Sequence, residues 1–358
     1  MSTRPRVSFD ESGRCNACLW SEEKASIDWA SRVTELEQLL SRHRKSDGSP
    51  DCVVPVSGGK DGTYVYHQLK EKWRMNPLVV TIQPALPLDI GRKNLDNFVG
   101  RGANHFLVSP SATAMRQLNK TGFVEMGFPY YGWLISILVT VINVAHRFNC
   151  GLVFYGEDGE VEYGGSTETE RGPIFGIDYL KRVYLEAGHE KVLQASGLSD
   201  ADLHFFRFLP EIEKGDVALD LTHWSYFENW DPYRNYLVAK ELYGLQEAES
   251  TNAGTFTNFA QNDQALYALH TYMMYLKFGF GRANQDASIE IRRGAMTRGQ
   301  AVQLVRLYDG HYPSEFEDLY LDYYQMSKGE FTDVLEKWTN LDLFDIDGGR
   351  AVPKFTVV

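Results

Sequence analysis

The chain has 358 residues, 43% hydrophobic, 23% charged and 13% aromatic, with a formal net charge of −12. This is enough for one large domain or two ordinary ones, each with its own core, and the composition is that of a globular protein. The acidic surplus argues against general nucleic-acid binding, because the basic residues form only short sets, at the opening Arg4-Pro5-Arg6, at 91–93 and at 292–294.

The N-terminus has no hydrophobic signal core, so the expected location is cytoplasmic. Residues 9–20, FDESGRCNACLW, form a turn-rich unit holding Cys15 and Cys18. Residues 27–44 place Ile27, Val33, Leu36, Leu39 and Leu40 at helical spacing. A loop precedes a short buried strand at 52–56, and a helix follows from near Asp61. Strands are predicted at 78–82, 105–109 and 151–157, with a helix from 90 to 102 and a longer helical region that includes 131–148. The apolar run 133–146 is too short to span a bilayer and contains Asn143, so it reads as a core helix and no membrane insertion is expected. Alternating strands and helices predict an α/β fold with a doubly wound parallel sheet, whose ligands sit beyond the carboxyl ends of the strands. Residues 176–210 and 233–345 read as mainly helical, with few strand signals. The expected division is a small CxxC unit over 1–26, a nucleotide domain over 27–170, and a helical substrate or partner domain over 171–358.

The chemistry is concentrated where the first strand ends. Ser57-Gly58-Gly59 leaves backbone N–H groups uncovered, and the helix behind them adds partial positive charge, which together suit a phosphate. Asp61 can cap that helix. The Walker pattern and a strand-linked GxGxxG are both absent. The stretch resembles the PP-loop, SGGxDS, of ATP pyrophosphatases, with a HUP-like fold implied. Its final serine is replaced here by Gly62, with Thr63 beside it. Either Thr63 supplies the hydroxyl, or the site relies on Ser57 and the backbone. After the fourth strand, residues 156–165 read GEDGEVEYGG and bring Glu157, Asp158, Glu160 and Glu162 to the same sheet edge, as Mg2+ on a pyrophosphate requires.

Taken together, these stretches resemble the N-acetyl sugar amidotransferases of the PP-loop superfamily, which act in bacterial surface-polysaccharide (lipopolysaccharide, O-antigen) pathways. FDESGRCNAC followed by IDW is similar to the family's N-terminal segment, and VSGGKDGTY and GEDGEVEYGG to its two nucleotide motifs. Residues 230–244, 254–263 and 277–310 match its helical half. The resemblance implies an ATP-dependent ligase that adenylates the oxygen of an N-acetyl group and lets ammonia displace AMP, leaving an acetamidino group. Ser57, Lys60 and Asp61 are the expected catalytic residues. Gly58, Gly59, Gly62, Thr63, Gly156 and Glu157 complete the expected ATP site, and Asp61, Glu157 and Asp158 are the candidate Mg2+ ligands. No glutaminase nucleophile turn is visible, so ammonia is expected from a glutaminase subunit working with a cyclase-like subunit, similar to the imidazole glycerol phosphate synthase pair.

Cys15 and Cys18 have the spacing of half a zinc site. The family pattern carries a second CxxC upstream. Either that pair was lost, or Met1 lies inside a longer gene product whose extended form binds zinc. Cys52 and Cys150 adjoin strands and read as buried. Arg282 and Arg292 are candidates for a carboxylate or phosphate of the sugar substrate, and equally for a salt-bridge network. In the aromatic cluster 223–233, Trp224 and Phe227 read as core, while Tyr226 and Trp230 are candidates for stacking a sugar ring. His223, His270 and His311 show no ligand spacing and read as structural. Two competing readings stand beside this one. The first is a PP-loop enzyme that thiolates tRNA, which should be basic and carry paired active-site cysteines. The second is a catalytically weak scaffold, suggested by Gly62.

Overall fold

The computed structural model of the chain describes residues 2–358. Four hydrophobic segments become parallel strands: β1 (Cys52–Pro55), β2 (Pro77–Ile82), β3 (His105–Val108) and β4 (Leu152–Tyr155). Strands β1, β2 and β4 are almost wholly buried, as a sheet covered on both faces requires. Two further strands, β5 (Ile174–Phe175) and β6 (Asp220–His223), complete a six-stranded sheet of order β3-β2-β1-β4-β6-β5. Only β5, at the edge, runs antiparallel.

β5 and β6 fall outside the stretches 176–210 and 233–345 expected to be mainly helical, and they carry the sheet across the expected division at 170/171. Neither segment is long enough to show alternation. Their place is set by neighbours, with Leu152 opposite Asp220 and Phe175 opposite Leu221. A C-terminal hairpin, β7 (Phe344–Asp347) and β8 (Arg350–Pro353), turns on Gly348 and Gly349 at φ 57° and 76°.

Two hydrophobic cores cover the sheet. One packs the helices Ala112–Met126 and Tyr131–Arg147 against it, with Leu266–Phe278 and the tyrosines Tyr320 and Tyr324 outside them. The apolar run does lie in this core, and Asn143 is satisfied by the carbonyl of Arg207 and the N–H of Leu209. The other core joins Leu36, Leu39 and Leu40 to Tyr64, Val65 and the cluster Trp224, Phe227, Trp230. Trp224 and Phe227 are buried, as their sequence context predicts. Among the described residues, no single helix is long and apolar enough to cross a membrane.

The strand order reverses at β1. From there β2 and β3 lie to one side and β4, β6 and β5 to the other. The carboxyl ends of β1 and β4 therefore diverge at the switch point where doubly wound folds bind ligands.

Candidate active site

The segment leaving β1 is shaped by glycine. Gly58 sits at φ 85°, and a Cβ there would run into the backbone of Asn94 and Leu95. Gly59 is the N-cap of the helix Lys60–His67 and donates its N–H to Ser57 Oγ at 3.4 Å. Asp61 is not the cap expected of it. One residue past the start of the helix, it pairs instead with the buried Lys60 ammonium and accepts a 3.1 Å bond from Asn235 Nδ2. Its charge still suits a helix N-terminus.

Gly62 stands where the PP-loop pattern has serine. A Cβ at this position would lie 2.7 Å from the carbonyl oxygen of Pro55 and 3.2 Å from Val56 Cα, both of them backbone. Thr63 does not take over the role. Its hydroxyl is buried without a partner, and the residue is absent from the cavity lining. Restoring the serine (Gly62→Ser) is expected to overpack the joint and cost roughly 2 kcal/mol, with no gain in activity. Thermal denaturation beside an activity assay checks this.

The segment leaving β4 abuts the first, since a Cβ on Gly156 would lie 3.3 Å from Asp61 Cβ and from the Trp230 ring. Glu157 faces the same cavity as Asp61. Burial pushes its carboxyl upward, and the nearby Asp61 charge adds to this. Tyr163 donates to Glu157 Oε2 at 2.5 Å and Trp230 Nε1 to the same oxygen at 3.1 Å. The remaining acids are committed elsewhere. Asp158, expected to bind Mg2+, caps the helix Gly159–Tyr163 and binds Thr169 and Tyr184 away from the main cavity. Glu160 holds Arg6 at 2.7 Å, and Glu162 holds Lys24 at 2.7 Å and Trp20 at 3.0 Å. These three bonds pin the N-terminal segment to the sheet edge.

The cavity at this edge has a volume of about 430 Å³. Ser57, Gly59, Lys60, Asp61, Gly62 and Glu157 line one side. Arg282 completes that end, bonded to Asp286 at 2.8 Å and held charged by Asp286, Tyr163 and Glu157 despite its burial. The opposite side was not foreseen. It carries Arg4 and Arg6 from the opening set dismissed as short, and Tyr267, His270, Met274 and Lys277 from the helix Leu266–Phe278, while Asp263, just ahead of that helix, sits beside Ser57 and Lys60. Burial raises Asp263 to about 6, helped by Asp61 and opposed by Ser57 and Lys60. His270, read from the sequence as structural, lines this cavity. Its Nδ1 has no partner, the ring lies 4.6 Å from Phe128 and 4.8 Å from Tyr130, and burial with Lys277 and Arg282 depresses it to about 3. The missed signal is a polar stripe at helical spacing through a tyrosine- and methionine-rich helix. His223 is structural, bonded to Tyr184 at 3.1 Å, and His311 is exposed.

Three substrate candidates lie outside this lining. Arg292 donates to the Glu162 carbonyl at 3.1 Å. Tyr226 stacks under Arg32 at 4.1 Å and bonds Glu35. Trp230 is buried behind Glu157. The Cys15 and Cys18 sulfurs stand 3.6 Å apart, and burial and Cys15 raise the Cys18 thiol. Among the described residues no group of three or more His, Cys, Asp or Glu could hold a metal, so this pair offers two of the four ligands a structural zinc takes. Cys52 and Cys150 are buried.

Residues 253–353 match a family model described as the C-terminal domain of WbpG-like LPS biosynthesis proteins. An uncharacterized protein of Methanocaldococcus jannaschii is 30% identical over 80 residues, which are 22% of this chain and 28% of that protein, so the match spans under a third of the relative's length. Among solved structures, the U34-tRNA thiolase NcsA of Methanococcus maripaludis with its 4Fe–4S cluster aligns over 89% of this chain and 84% of its own, at 10% identity and a TM-score of 0.34. The α/β class rests on the sheet itself, a mostly parallel, doubly wound one with its candidate site at the switch point.

Proposed function

We propose that this chain is an ATP-dependent, AMP- and pyrophosphate-forming amidotransferase that converts the N-acetyl group of a nucleotide-linked sugar to an acetamidino group. The observation that carries the reading is the meeting of Ser57-Gly58-Gly59 with Asp61 and Glu157 at the divergence of β1 and β4. The match of residues 253–353 to an LPS biosynthesis domain supports a sugar as substrate.

In this reading the phosphates of ATP lie against the Ser57–Gly59 backbone and Lys60. Asp61 and Glu157 are two carboxylates whose mutual repulsion a cation relieves, and Glu157 Oε1 has no protein donor among the described residues. They would hold Mg2+, which supplies charge neutralisation, and two carboxylates plus substrate phosphates are what that ion takes. The acetyl oxygen attacks the α-phosphorus and pyrophosphate leaves. Ammonia then adds to the imidate carbon, and the C–O bond breaks to release AMP. The residues on the page do the positioning. Lys60 neutralises phosphate charge, Arg282 sits where a second anionic group would come, and the aromatic wall of Phe128, Tyr130 and Tyr267 gives a ring a surface to stack on.

A glutaminase with a cyclase-like partner would supply the ammonia. Sulfur transfer to tRNA is less well supported, because among the described residues no cysteine lines the cavity. The expected result is ATP–pyrophosphate exchange that depends on an N-acetyl sugar nucleotide. Net turnover is expected with ammonium chloride and almost none with glutamine alone. Efficient use of glutamine by the isolated chain, or exchange that ignores every N-acetyl sugar, would refute the proposal.

A further inference from the structure

Behind the main cavity lies a second one, of about 400 Å³, between the helices Asn16–Glu23 and Arg282–Arg292. The two cavities share Glu157 and Tyr163 in their linings. The partition between them includes a side-chain cluster, with the Tyr163 phenol and the Trp230 indole both bonded to Glu157 Oε2. On the far side, Lys24 and Arg292 are fixed through Glu162, and Ser21 Oγ reaches the Arg292 carbonyl at 3.5 Å. Ala25 lies at the outer rim and is exposed.

The main cavity is the size of a single ligand site. ATP and a sugar nucleotide together therefore fill it and its mouth, which closes the front approach to the reacting carbon. A third reactant then needs another way in, and the rear cavity reaches the same carboxylate from the opposite side. We infer that the rear cavity is the route by which ammonia reaches the adenylated imidate, with Tyr163, Glu157 and Trp230 as its inner gate. The inference rests on the reaction proposed above. The nucleophile is small and neutral, so it can pass a hydrogen-bonded side-chain partition that holds back the larger reactants. In the step it serves, the ammonia nitrogen forms a bond to the imidate carbon, the carbon–oxygen bond to AMP breaks, and one proton of the former ammonia leaves with AMP. The bonds among Lys24, Arg292 and Glu162 keep the walls apart, and they give the N-terminal CxxC unit a purpose other than metal binding, because its helix forms one bank of the route.

The test narrows the outer mouth with Ser21→Trp and, separately, with Ala25→Trp, neither of which touches the ATP loop. The probes are UDP-N-acetylglucosamine and other UDP-linked N-acetyl sugars, taking whichever supports ATP–pyrophosphate exchange in the unsubstituted chain. Exchange reports both folding and adenylation. The expected result is unchanged exchange, with kcat/KM for ammonium chloride lowered about tenfold in both variants and a parallel loss with glutamine and its partners. Intact exchange with unchanged ammonium kinetics would overturn the route. So would a loss confined to glutamine-dependent turnover, since the face would then dock a partner without carrying ammonia. Absence of exchange in the unsubstituted chain, with every sugar, would instead overturn the proposed reaction.

Discussion

Replacing Asp61 with asparagine is expected to lower adenylation about a thousandfold while leaving the fold in place. The side chain has two partners, the Lys60 ammonium and Asn235 Nδ2, and it is partly open to the cavity. Asparagine keeps the shape and one acceptor but removes the charge. Two losses follow. Lys60 is buried, so its ammonium loses its counter-charge and is free to pair with phosphate too early, tightening ground-state binding of ATP rather than its transition state. The carboxylate pair with Glu157 is also broken, and with it the place where Mg2+ would be held. The signature is a fall in kcat that far exceeds any rise in KM for ATP, with ammonium and with partner-supplied glutamine alike, because both follow adenylation. Asn235→Ala should give a smaller loss of the same kind, since Asn235 acts by orienting Asp61. Pyrophosphate exchange measured beside thermal denaturation separates these effects. An Asp61→Asn protein with near-normal exchange would remove this carboxylate from the chemistry.

Much of the parallel sheet was legible in the sequence because its signals are local. A buried strand running into Ser57-Gly58-Gly59 marks a strand end and a turn into a helix, and the glycine at 58 is explained by a positive φ and a backbone contact. The strands β5 and β6 were not legible, since two and four residues carry no period and pairing alone defines them. The acids after β4 were legible as a group but not one by one. Sequence cannot tell that Asp158 turns inward to cap a helix while Glu157, its neighbour, turns outward to the cavity. Arg4 and Arg6 were passed over because they form only a short basic set in an acidic chain. Here Glu160, more than 150 residues away, draws them into the wall. Long-range electrostatic pairing of this kind leaves no trace in spacing. Arg282 and Arg292 show the same limit, because identical chemistry ten residues apart ends in the cavity in one case and on a backbone carbonyl in the other.

Asp263→Asn is expected to stabilise the protein at pH 8 and to leave it unchanged near pH 3.5. The Asp263 carboxyl sits among Ser57, Lys60, Asp61, Tyr130 and Tyr267, and burial raises it from its usual 3.8 to about 6. The sign is that of an acid raised on folding. Below pH 4 the group is neutral in both states and costs nothing. Between pH 4 and 6 the unfolded chain releases its proton while the folded chain keeps it, so stability falls as pH rises. Above pH 6 the folded group is ionised as well, and the full penalty stands, roughly 3 kcal/mol. Asparagine removes that penalty and can still accept from Ser57, so the gain should appear only on the alkaline side. Thermal melts of both proteins from pH 3.5 to 8 measure it, and an equal difference at every pH would mean that the carboxyl is not raised. The same charge bears on function. Phosphate seated against Ser57 would face an ionised Asp263 and push its proton affinity higher, so ATP binding by the native chain should take up a proton near pH 7. In the asparagine variant that uptake should vanish, and ATP should bind more tightly as pH rises past 6.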